Sequence, residues 1–318
     1  MSEPAGKKVV LMTIEDDFAG QRLDNFLLRT LKGVPKSKIY KIVRKGEVRV
    51  NKGRVAVNYR LNSGDLVRIP PVRQSQPEQA YQNGPHNGLK KSLKDAILFE
   101  NKEIIVLNKP SGMAVHGGSG ISFGVIETLR AMRPEEKSLE LVHRLDRETS
   151  GCLLIAKKRS ALKKLHDLIR EDAIEKKYQA LVLGGGGKKT SMKVDVPLRK
   201  NTLKGGERIV RVDAEGKNSL TYFSKLEKFD QYMLVEAVLK TGRTHQIRVH
   251  LQHVGTPILG DPKYGDEQAN RQVKSIGLYR LFLHAASLAY TDPESGKLML
   301  FKAPMDNELE HVLAVLRR

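Results

Sequence analysis

Residues 139–158 read LELVHRLDRETSGCLLIAKK, and this stretch decides the fold that we predict for most of the chain. The apolar runs LELV and CLLIA are typical of short buried strands. The polar loop between them holds one carboxylate, Asp146, between Arg144 and Arg147. An exposed Asp beside Arg is common and contributes little to stability. A loop held at both ends by buried strands is a typical place for functional residues, so Asp146 is the leading candidate.

The rest of the chain after residue 91 repeats this pattern of short strands and turns. Strand-like runs recur as AILFE, EIIVLN, YQALVLG, YMLVEAVL and RLFLHAASLAY. Apolar residues three and four apart predict helices in SFGVIETLRAM, SALKKLHDLIRE and NELEHVLAVL. Many strands with helices inserted irregularly predict an α+β domain over residues 92–318, built around a mostly antiparallel or mixed sheet.

Composition restricts the partners of the protein. The 318 residues include 56 Lys and Arg against 36 Asp and Glu, which gives a net charge of +20 and favours a polyanion such as nucleic acid. The apolar runs are too short to cross a membrane, and MSEPAGKK contains no hydrophobic signal core, so we expect a soluble cytoplasmic protein. A single cysteine, Cys152, excludes an internal disulfide and a multi-cysteine metal site.

Residues 20–73 carry a disproportionate share of the charge and are predicted to form a separate module. They hold 14 Lys or Arg against three acidic residues, a net charge of +11. Helical spacing is found in QRLDNFLLRTL and in PKSKIYKIVRKG, where Gly46 ends the second helix. A solvated charged face is the alternative reading, but it would be self-repelling without an anionic partner. We therefore predict that the exposed face of the second helix binds RNA through Lys36, Lys38, Lys41, Arg44 and Lys45.

Three low-complexity or polar stretches complete the predicted organisation. Residues 1–19 are assigned to an N-terminal tail. Residues 74–91, QSQPEQAYQNGPHNGLKK, lack apolar periodicity and are typical of a flexible linker. GGGGKK at 184–189 predicts a mobile loop tip, because no Gly-Lys-Ser or Gly-Lys-Thr accompanies it to form a phosphate loop.

Several chemistries fit the sequence poorly. HRLD is similar to the HRD of protein kinases, but the following metal-binding Asn and the DFG are missing. A glycosidase needs two carboxylates flanking the scissile bond, whereas Glu148 lies only two residues from Asp146. The histidines of GRTHQIRVHLQH match no zinc spacing, so no metal site is predicted.

The same stretch, GRTHQIRVHLQH, predicts a helix with Thr244 as its N-cap and Arg248 in its first turn.

Two sets of motifs resemble known families. RLDNFL, GVPKSKIYKIVRKGEVRVNKGRV and LNSGDLVRI resemble the small α/β RNA-binding module called S-four-type, or alpha-L. LNKPSGMAVHGG, HRLDRETSG, KKYQALV and GRTHQIRVH, in this order, resemble the ribosomal large-subunit pseudouridine synthases of the family that includes the A, C and D enzymes. The stretch VHGGSGISFGVIETLR is most similar to the C-type branch of that family.

This resemblance implies a function and a set of site residues. It implies isomerisation of specific uridines to pseudouridine in large-subunit (23S-type) ribosomal RNA, without a cofactor, after the target base flips out of its stack. Asp146 would act at the sugar, as a nucleophile or as the base of an elimination. Arg144 would fill the space that the base leaves, Tyr178 would lie against the uracil and assist proton removal from carbon 5, and Arg248 would pair with Asp146.

The implied partner is large-subunit ribosomal RNA or its assembly precursor, and the acting form is expected to be a monomer. Two alternatives stay open from the residues. A noncatalytic RNA-binding or ribosome-assembly protein would suit the basic module equally well, although an inactive relative would be expected to lose Asp146 or Tyr178, and both are present. A base-directed hydrolase acting on RNA would instead release free uracil.

Overall fold

The computed structural model describes residues 9–31, 34–72, 84–117, 123–184, 190–202 and 208–318. The chain divides into two compact units, Met1–Gly84 and Pro85–Arg318, which we describe separately. Most of the predicted linker and nearly all of the predicted glycine loop tip lie outside the described residues, as does the start of the predicted N-terminal tail.

The N-terminal unit combines a small sheet with two helices. Its antiparallel sheet has the strand order β1-β3-β2. The elements are β1 (Val10–Thr13), α1 (Leu23–Thr30), α2 (Lys36–Arg44), β2 (Arg49–Val50) and β3 (Leu66–Ile69). Both predicted helices are confirmed, and Gly46 ends the second in the left-handed region at φ +69°. Apolar residues of both helices and all three strands share one core.

The predicted N-terminal tail contributes a strand to this unit, which the sequence did not indicate. Residues 10–13 pair antiparallel with residues 66–69. Val10 and Leu11 are exposed, and Met12 packs against the core. The side chains of β1 are mostly exposed, and the strand is held by backbone pairing with β3. Its sequence therefore lacks the alternation of apolar and polar residues that would have predicted a strand.

The second unit is built around a ten-stranded sheet with the order β4-β5-β7-β14-β8-β13-β12-β9, in which β15 also pairs with β14 and β6 with β7. Of its strand pairs, β7 with β14 is parallel and the others are antiparallel. The predicted α+β class with a mixed sheet is confirmed. The strands of this unit, with the separate hairpin β10–β11, are β4 (Ile97–Glu100), β5 (Ile104–Lys109), β6 (Glu140–Leu141), β7 (Ser150–Ala156), β8 (Glu175–Leu183), β9 (Ser191–Asp195), β10 (Leu198–Thr202), β11 (Arg208–Val212), β12 (Leu220–Lys228), β13 (Tyr232–Leu239), β14 (Leu283–Thr291) and β15 (Leu298–Lys302).

The sheet is covered on both faces. Alternate residues of β7 enter two different cores, with Leu153 and Ile155 in one and Cys152 and Leu154 in the other, as the two-residue period of a strand requires.

None of the helices in the described ranges is long and apolar enough to cross a membrane. The helices of this unit are α3 (Asn87–Asp95), α4 (Val125–Met132), α5 (Arg159–Arg170), α6 (Gln246–His253), α7 (Glu267–Gln272) and α8 (Asn307–Leu316).

Helix α3 corrects the end of the predicted flexible linker, because residues 87–91 are helical. The His86 side chain caps the helix by accepting a hydrogen bond from the backbone N–H of Leu89 at 3.1 Å. Leu93, one turn further on, is fully buried. The interpretation as a linker missed this helix because only Leu89 and Leu93 mark its apolar face among lysines and polar residues.

Gly151 fixes the end of the Asp146 loop where β7 meets β14. Its φ of +109° lies in the region that favours glycine, and a Cβ there would come within 2.3 Å of the Ala285 carbonyl oxygen. The two backbones approach closely at this parallel pairing. A side chain at this position would push the two strands apart and displace the loop that precedes Gly151.

Candidate active site

The Asp146 loop is held in place by two of its residues, Leu145 and His143. Leu145 is buried in the core that contains Leu153 and Ile155, which we call the main core. Its neighbour Arg144 is exposed, and its other neighbour Asp146 is partly buried. The backbone N–H of Leu154 donates a hydrogen bond to His143 Nε2 at 3.1 Å, which ties the loop to β7. Burial lowers the pKa of His143 to about 4, so its imidazole is neutral and can accept that bond.

A buried lysine joins this loop to the turn that follows β5. Lys109 Nζ donates to the carbonyl oxygens of Pro110 at 2.8 Å, Met113 at 2.9 Å and Arg147 at 3.0 Å. Burial, and next the charge of Arg280, lower the pKa of Lys109 to about 7. The Lys109 side chain therefore ties the Asp146 loop to the turn after β5.

The Asp146 carboxylate faces two nitrogen donors from the start of α6. Arg248 Nη1 lies 3.7 Å from Oδ2, and His245 Nε2 lies 4.0 Å from Oδ1. Both distances exceed a hydrogen bond. Arg248 therefore lies beside Asp146, as the resemblance implied, but it forms no hydrogen bond with it.

The hydrogen bonds of Arg248 go to Asp261, which the sequence analysis did not single out. Arg248 Nε and Nη2 each donate to one carboxylate oxygen of Asp261 at 2.7 Å, a bidentate pair that leaves Nη1 directed at Asp146. Burial opposes ionisation of Asp261, but Arg248 and the backbone N–H groups of Lys263 and Tyr264 outweigh it and lower the pKa of Asp261. Asp261 thus fixes the orientation of Arg248.

The start of α6 differs from the prediction by one residue. His245, not Thr244, is the N-cap, and it has left-handed backbone angles with φ 53°. The Gln246 side-chain oxygen accepts hydrogen bonds from the backbone N–H of Arg243 at 3.0 Å and from the Thr241 hydroxyl at 2.8 Å. These bonds hold the turn before α6, and the chain turns so that the His245 ring faces Asp146.

Tyr178 lies on β8, opposite Ala237 of β13, and its side chain is buried in the main core. Burial, and next the negative charge of Asp146, raise the pKa of Tyr178 well above its ordinary value of 10.0. The phenol is therefore neutral at physiological pH.

The remaining predicted site residues are exposed. Arg144 precedes Asp146 by two residues and faces solvent. In the N-terminal unit, the buried stripe of α2 consists of Ile39, Ile42 and Val43, as predicted. The cations on its other face are all exposed, and two of them lie over the Tyr40 ring; they are Lys36, Lys38, Lys41, Arg44 and Lys45.

No group of three His, Cys, Asp or Glu side chains in the described ranges is arranged to hold a metal ion. Among the histidines considered from the sequence, His250 bonds through Nε2 to the Ser219 hydroxyl at 2.9 Å, and His245 bonds through Nδ1 to the Tyr264 hydroxyl at 2.8 Å.

The residues that the sequence missed, Asp261 and Tyr264, share the segment GDPKYG, whose paired glycines around Asp and Tyr were the available signal.

Comparison with known proteins assigns both units. The model of the S4 domain matches residues 21–67, and the model of RNA pseudouridylate synthase matches residues 103–253. A solved structure titled Human RNA Pseudouridylate Synthase Domain Containing 4 superposes with a TM-score of 0.60 and 27% identity, covering 73% of this chain and 96% of that one. The chain belongs to the RNA pseudouridylate synthase family.

Full-length relatives place the chain within one branch of this family. A Yersinia pestis protein is 54% identical over 98% of this chain and 96% of its own length. A Salmonella typhimurium protein is 56% identical over 97% of each chain. Both relatives are named Ribosomal large subunit pseudouridine synthase C, so the predicted resemblance to the C-type branch is confirmed.

Proposed function

We propose that this chain isomerises specific uridines of large-subunit ribosomal RNA to pseudouridine, with Asp146 as the catalytic carboxylate. The names of the full-length relatives support the reaction and the RNA. One observation carries the assignment of Asp146: it is a partly buried carboxylate, on the loop between the short strand β6 and the buried strand β7, whose two oxygens face Arg248 and His245.

The reaction breaks the bond from the ribose anomeric carbon to uracil nitrogen 1 and joins that carbon to carbon 5 of the same base. Carbon 5 loses its hydrogen as a proton and nitrogen 1 gains one, so the product has the mass of the substrate. Asp146 acts as a nucleophile at the anomeric carbon or as the base of an elimination. In either route Arg248, 3.7 Å away, places positive charge beside the reacting carboxylate.

Tyr178 and Arg144 have different proposed roles. Burial and the charge of Asp146 raise the pKa of Tyr178, so its phenol is neutral and a phenolate base at carbon 5 is unfavourable. Tyr178 is proposed to lie against the uracil, with its hydroxyl as a hydrogen-bonding group. Arg144 is exposed two residues from Asp146, a position consistent with filling the space that a flipped uridine leaves.

The N-terminal module is proposed to hold the RNA through the five exposed cations of α2. The match of the S4 domain to residues 21–67 supports this role. Phosphate contacts of this kind set position and register rather than sequence choice. The proposed substrate is the ribosomal RNA or its assembly precursor in the cytoplasm, and the proposed acting form is a monomer.

A tritium-release experiment tests the reaction. The purified chain is incubated with large-subunit ribosomal RNA that carries tritium at uracil carbon 5, and nucleosides from the digested RNA are then separated. Isomerisation releases tritium into water in proportion to the pseudouridine formed. Release of free uracil would point to a hydrolase, and binding without either product would point to the noncatalytic RNA-binding alternative. Either of these results would contradict the proposal.

A further inference from the structure

Tyr264 connects three groups beside Asp146, although no sequence motif singled it out. Its side chain is buried, and its hydroxyl accepts a hydrogen bond from the backbone N–H of Val210, in β11, at 3.0 Å. The same hydroxyl lies 2.8 Å from His245 Nδ1. The Arg248 guanidinium carbon lies 5.0 Å from the centre of the Tyr264 ring.

One arrangement of the hydrogens leaves no donor in these contacts without an acceptor. Since Val210 donates to the Tyr264 oxygen, the phenol hydrogen is free to go to His245 Nδ1, which then acts as an acceptor. Burial, and to a smaller degree Arg248, lower the pKa of His245 in spite of the opposing charge of Asp146. A neutral imidazole that accepts at Nδ1 carries its hydrogen on Nε2, the atom that faces Asp146.

The two Asp146 oxygens therefore face one N–H group each. His245 Nε2 is 4.0 Å from Oδ1 and Arg248 Nη1 is 3.7 Å from Oδ2. Hydrogen bonds at active sites are often long without substrate and tighten when it binds. When these contacts shorten on substrate binding, a donor on each side restricts rotation of the carboxylate.

The backbone of His245 is also specialised for this position. Its φ of 53° is uncommon for a residue with a side chain, although His, like Asn and Asp, is enriched there. The turn directs the ring between Asp146 and Tyr264. Because Val210 belongs to the β10–β11 hairpin, the hairpin backbone is linked to the same chain of contacts.

We propose that His245 and Tyr264 form a positioning pair for Asp146, in which Tyr264 orients the His245 ring and His245 Nε2–H orients the carboxylate. The inference rests on the proposed role of Asp146 and adds two residues to that site. In the same way, Asp261 orients Arg248, whose Nη1 faces the other oxygen of the Asp146 carboxylate.

Three substitutions separate this role from simple structural support. His245→Asn tolerates the left-handed backbone and keeps an amide near Tyr264, but its shorter side chain cannot reach Asp146. His245→Gln can place an amide N–H where Nε2–H lies, at some cost in backbone strain. Tyr264→Phe keeps the ring under Arg248 and removes the hydroxyl that orients His245.

The measurement is the single-turnover rate of tritium release at saturating enzyme, together with the dissociation constant for the RNA and the melting temperature of each variant. We expect His245→Asn and Tyr264→Phe to slow the reaction by about 10-fold to 100-fold, because small errors in placing a reacting group have effects of this size. RNA affinity should change by less than about threefold, roughly 0.7 kcal/mol. His245→Gln should be faster than His245→Asn, although it is the more strained of the two.

The double variant His245→Asn with Tyr264→Phe tests whether the two residues act together. If Tyr264 acts through His245, the double variant is as slow as His245→Asn alone, whereas independent effects would multiply. Wild-type rates in both single variants, multiplying effects, or His245→Gln slower than His245→Asn would each overturn the inference. Asp146→Asn is the reference in every experiment: if that variant stays active the proposed function fails, and if it is inactive while both single variants are normal, only the inference fails.

Discussion

Arg248 lies between two carboxylates that use it differently. Asp261 is buried and takes two 2.7 Å hydrogen bonds, whereas Asp146 is partly exposed and lies 3.7 Å from the remaining nitrogen. The first pair uses Nε and Nη2 of the guanidinium, and Nη1 faces Asp146 beyond hydrogen-bonding distance. Asp146 is therefore left beside a positive charge without being locked by it, which suits a carboxylate that must react.

Arg248→Ala is predicted to impair both stability and turnover. Removal of one partner of a buried ion pair leaves Asp261 charged and unpaired, which costs about 3 to 5 kcal/mol of unfolding free energy. The double variant Arg248→Met with Asp261→Asn removes both charges, so it should regain stability relative to Arg248→Ala without regaining activity. Urea denaturation and tritium release measure the two effects. Normal turnover in Arg248→Ala would contradict the role of Arg248 beside Asp146.

Tyr178→Phe is predicted to keep RNA affinity while reducing turnover by about 10-fold or more, since it retains the ring and removes the hydroxyl. Because the pKa of Tyr178 is raised far above neutrality, its ionisation should not appear in the pH–rate profile between about pH 6 and 9. Single-turnover rates across this range check both points. Equal rates in the two proteins would leave only the ring contact for Tyr178.

At the level of single residues, the sequence motifs made Asp146, Tyr178 and Arg248 candidates for the site but gave no indication of Asp261 or Tyr264, which contact Arg248. The HRLD and GRTHQIR motifs are local in the chain, so they could be matched directly. Asp261 is thirteen residues beyond Arg248, and its contact depends on a turn whose backbone N–H groups also bind the carboxylate. Spacing along the chain does not encode such a contact.

Among the elements, the turn after β5 and the Asp146 loop act as one unit because Lys109 ties their carbonyl oxygens together. Lys109→Met fills similar space but leaves these carbonyl groups without a donor, each at a cost on the order of 1 kcal/mol or more. We predict a lower melting temperature and slower turnover. Lys102→Met, on the exposed turn before β5, is the matched control and should have neither effect.

The pH dependence of stability gives a second test of Lys109. Its pKa falls from an ordinary 10.5 to about 7 in the folded protein, so the unfolded chain holds more protons between these values. The contribution of this group to the unfolding free energy therefore rises as the pH increases from about 7 to 10.5. Urea titrations at pH 7 and 9 should show a smaller rise in Lys109→Met than in Lys102→Met. Equal rises would contradict the assignment.

Element prediction succeeded where apolar periodicity was strong and failed where pairing or capping decided the structure. The periodic stretches gave α4, α5 and α8, and the strands around Asp146. The hairpin β10–β11 was missed because β10 has a single apolar residue and the hairpin packs into a small cluster beside α6, with Leu198 and Val210 buried and Ile209 and Val212 partly buried. Helix α3 was missed both because only two leucines mark its apolar face and because its cap is a histidine instead of the expected Ser, Thr, Asp or Asn.

At the scale of the whole molecule, a strongly basic N-terminal unit and a catalytic unit share one chain, and the basic unit is predicted to supply salt-sensitive binding. Replacing the five α2 cations, Lys36, Lys38, Lys41, Arg44 and Lys45, by Gln leaves the buried stripe of α2 intact. Each cation that contacts phosphate should contribute roughly 0.7 to 0.9 to the slope of log affinity against log salt. The variant should bind with a shallower slope but turn over normally at saturating RNA. An unchanged slope would contradict RNA binding by this face.

The central claim is that Asp146 performs the chemistry, and Asp146→Asn tests it most directly. The substitution keeps the shape of the side chain, but the amide can act neither as nucleophile nor as base. Tritium release and RNA affinity are measured on the same purified protein and the same ribosomal RNA. The account predicts no detectable release with RNA affinity within about tenfold of wild type, roughly 1.4 kcal/mol. Turnover by Asp146→Asn at a rate comparable to wild type would contradict it.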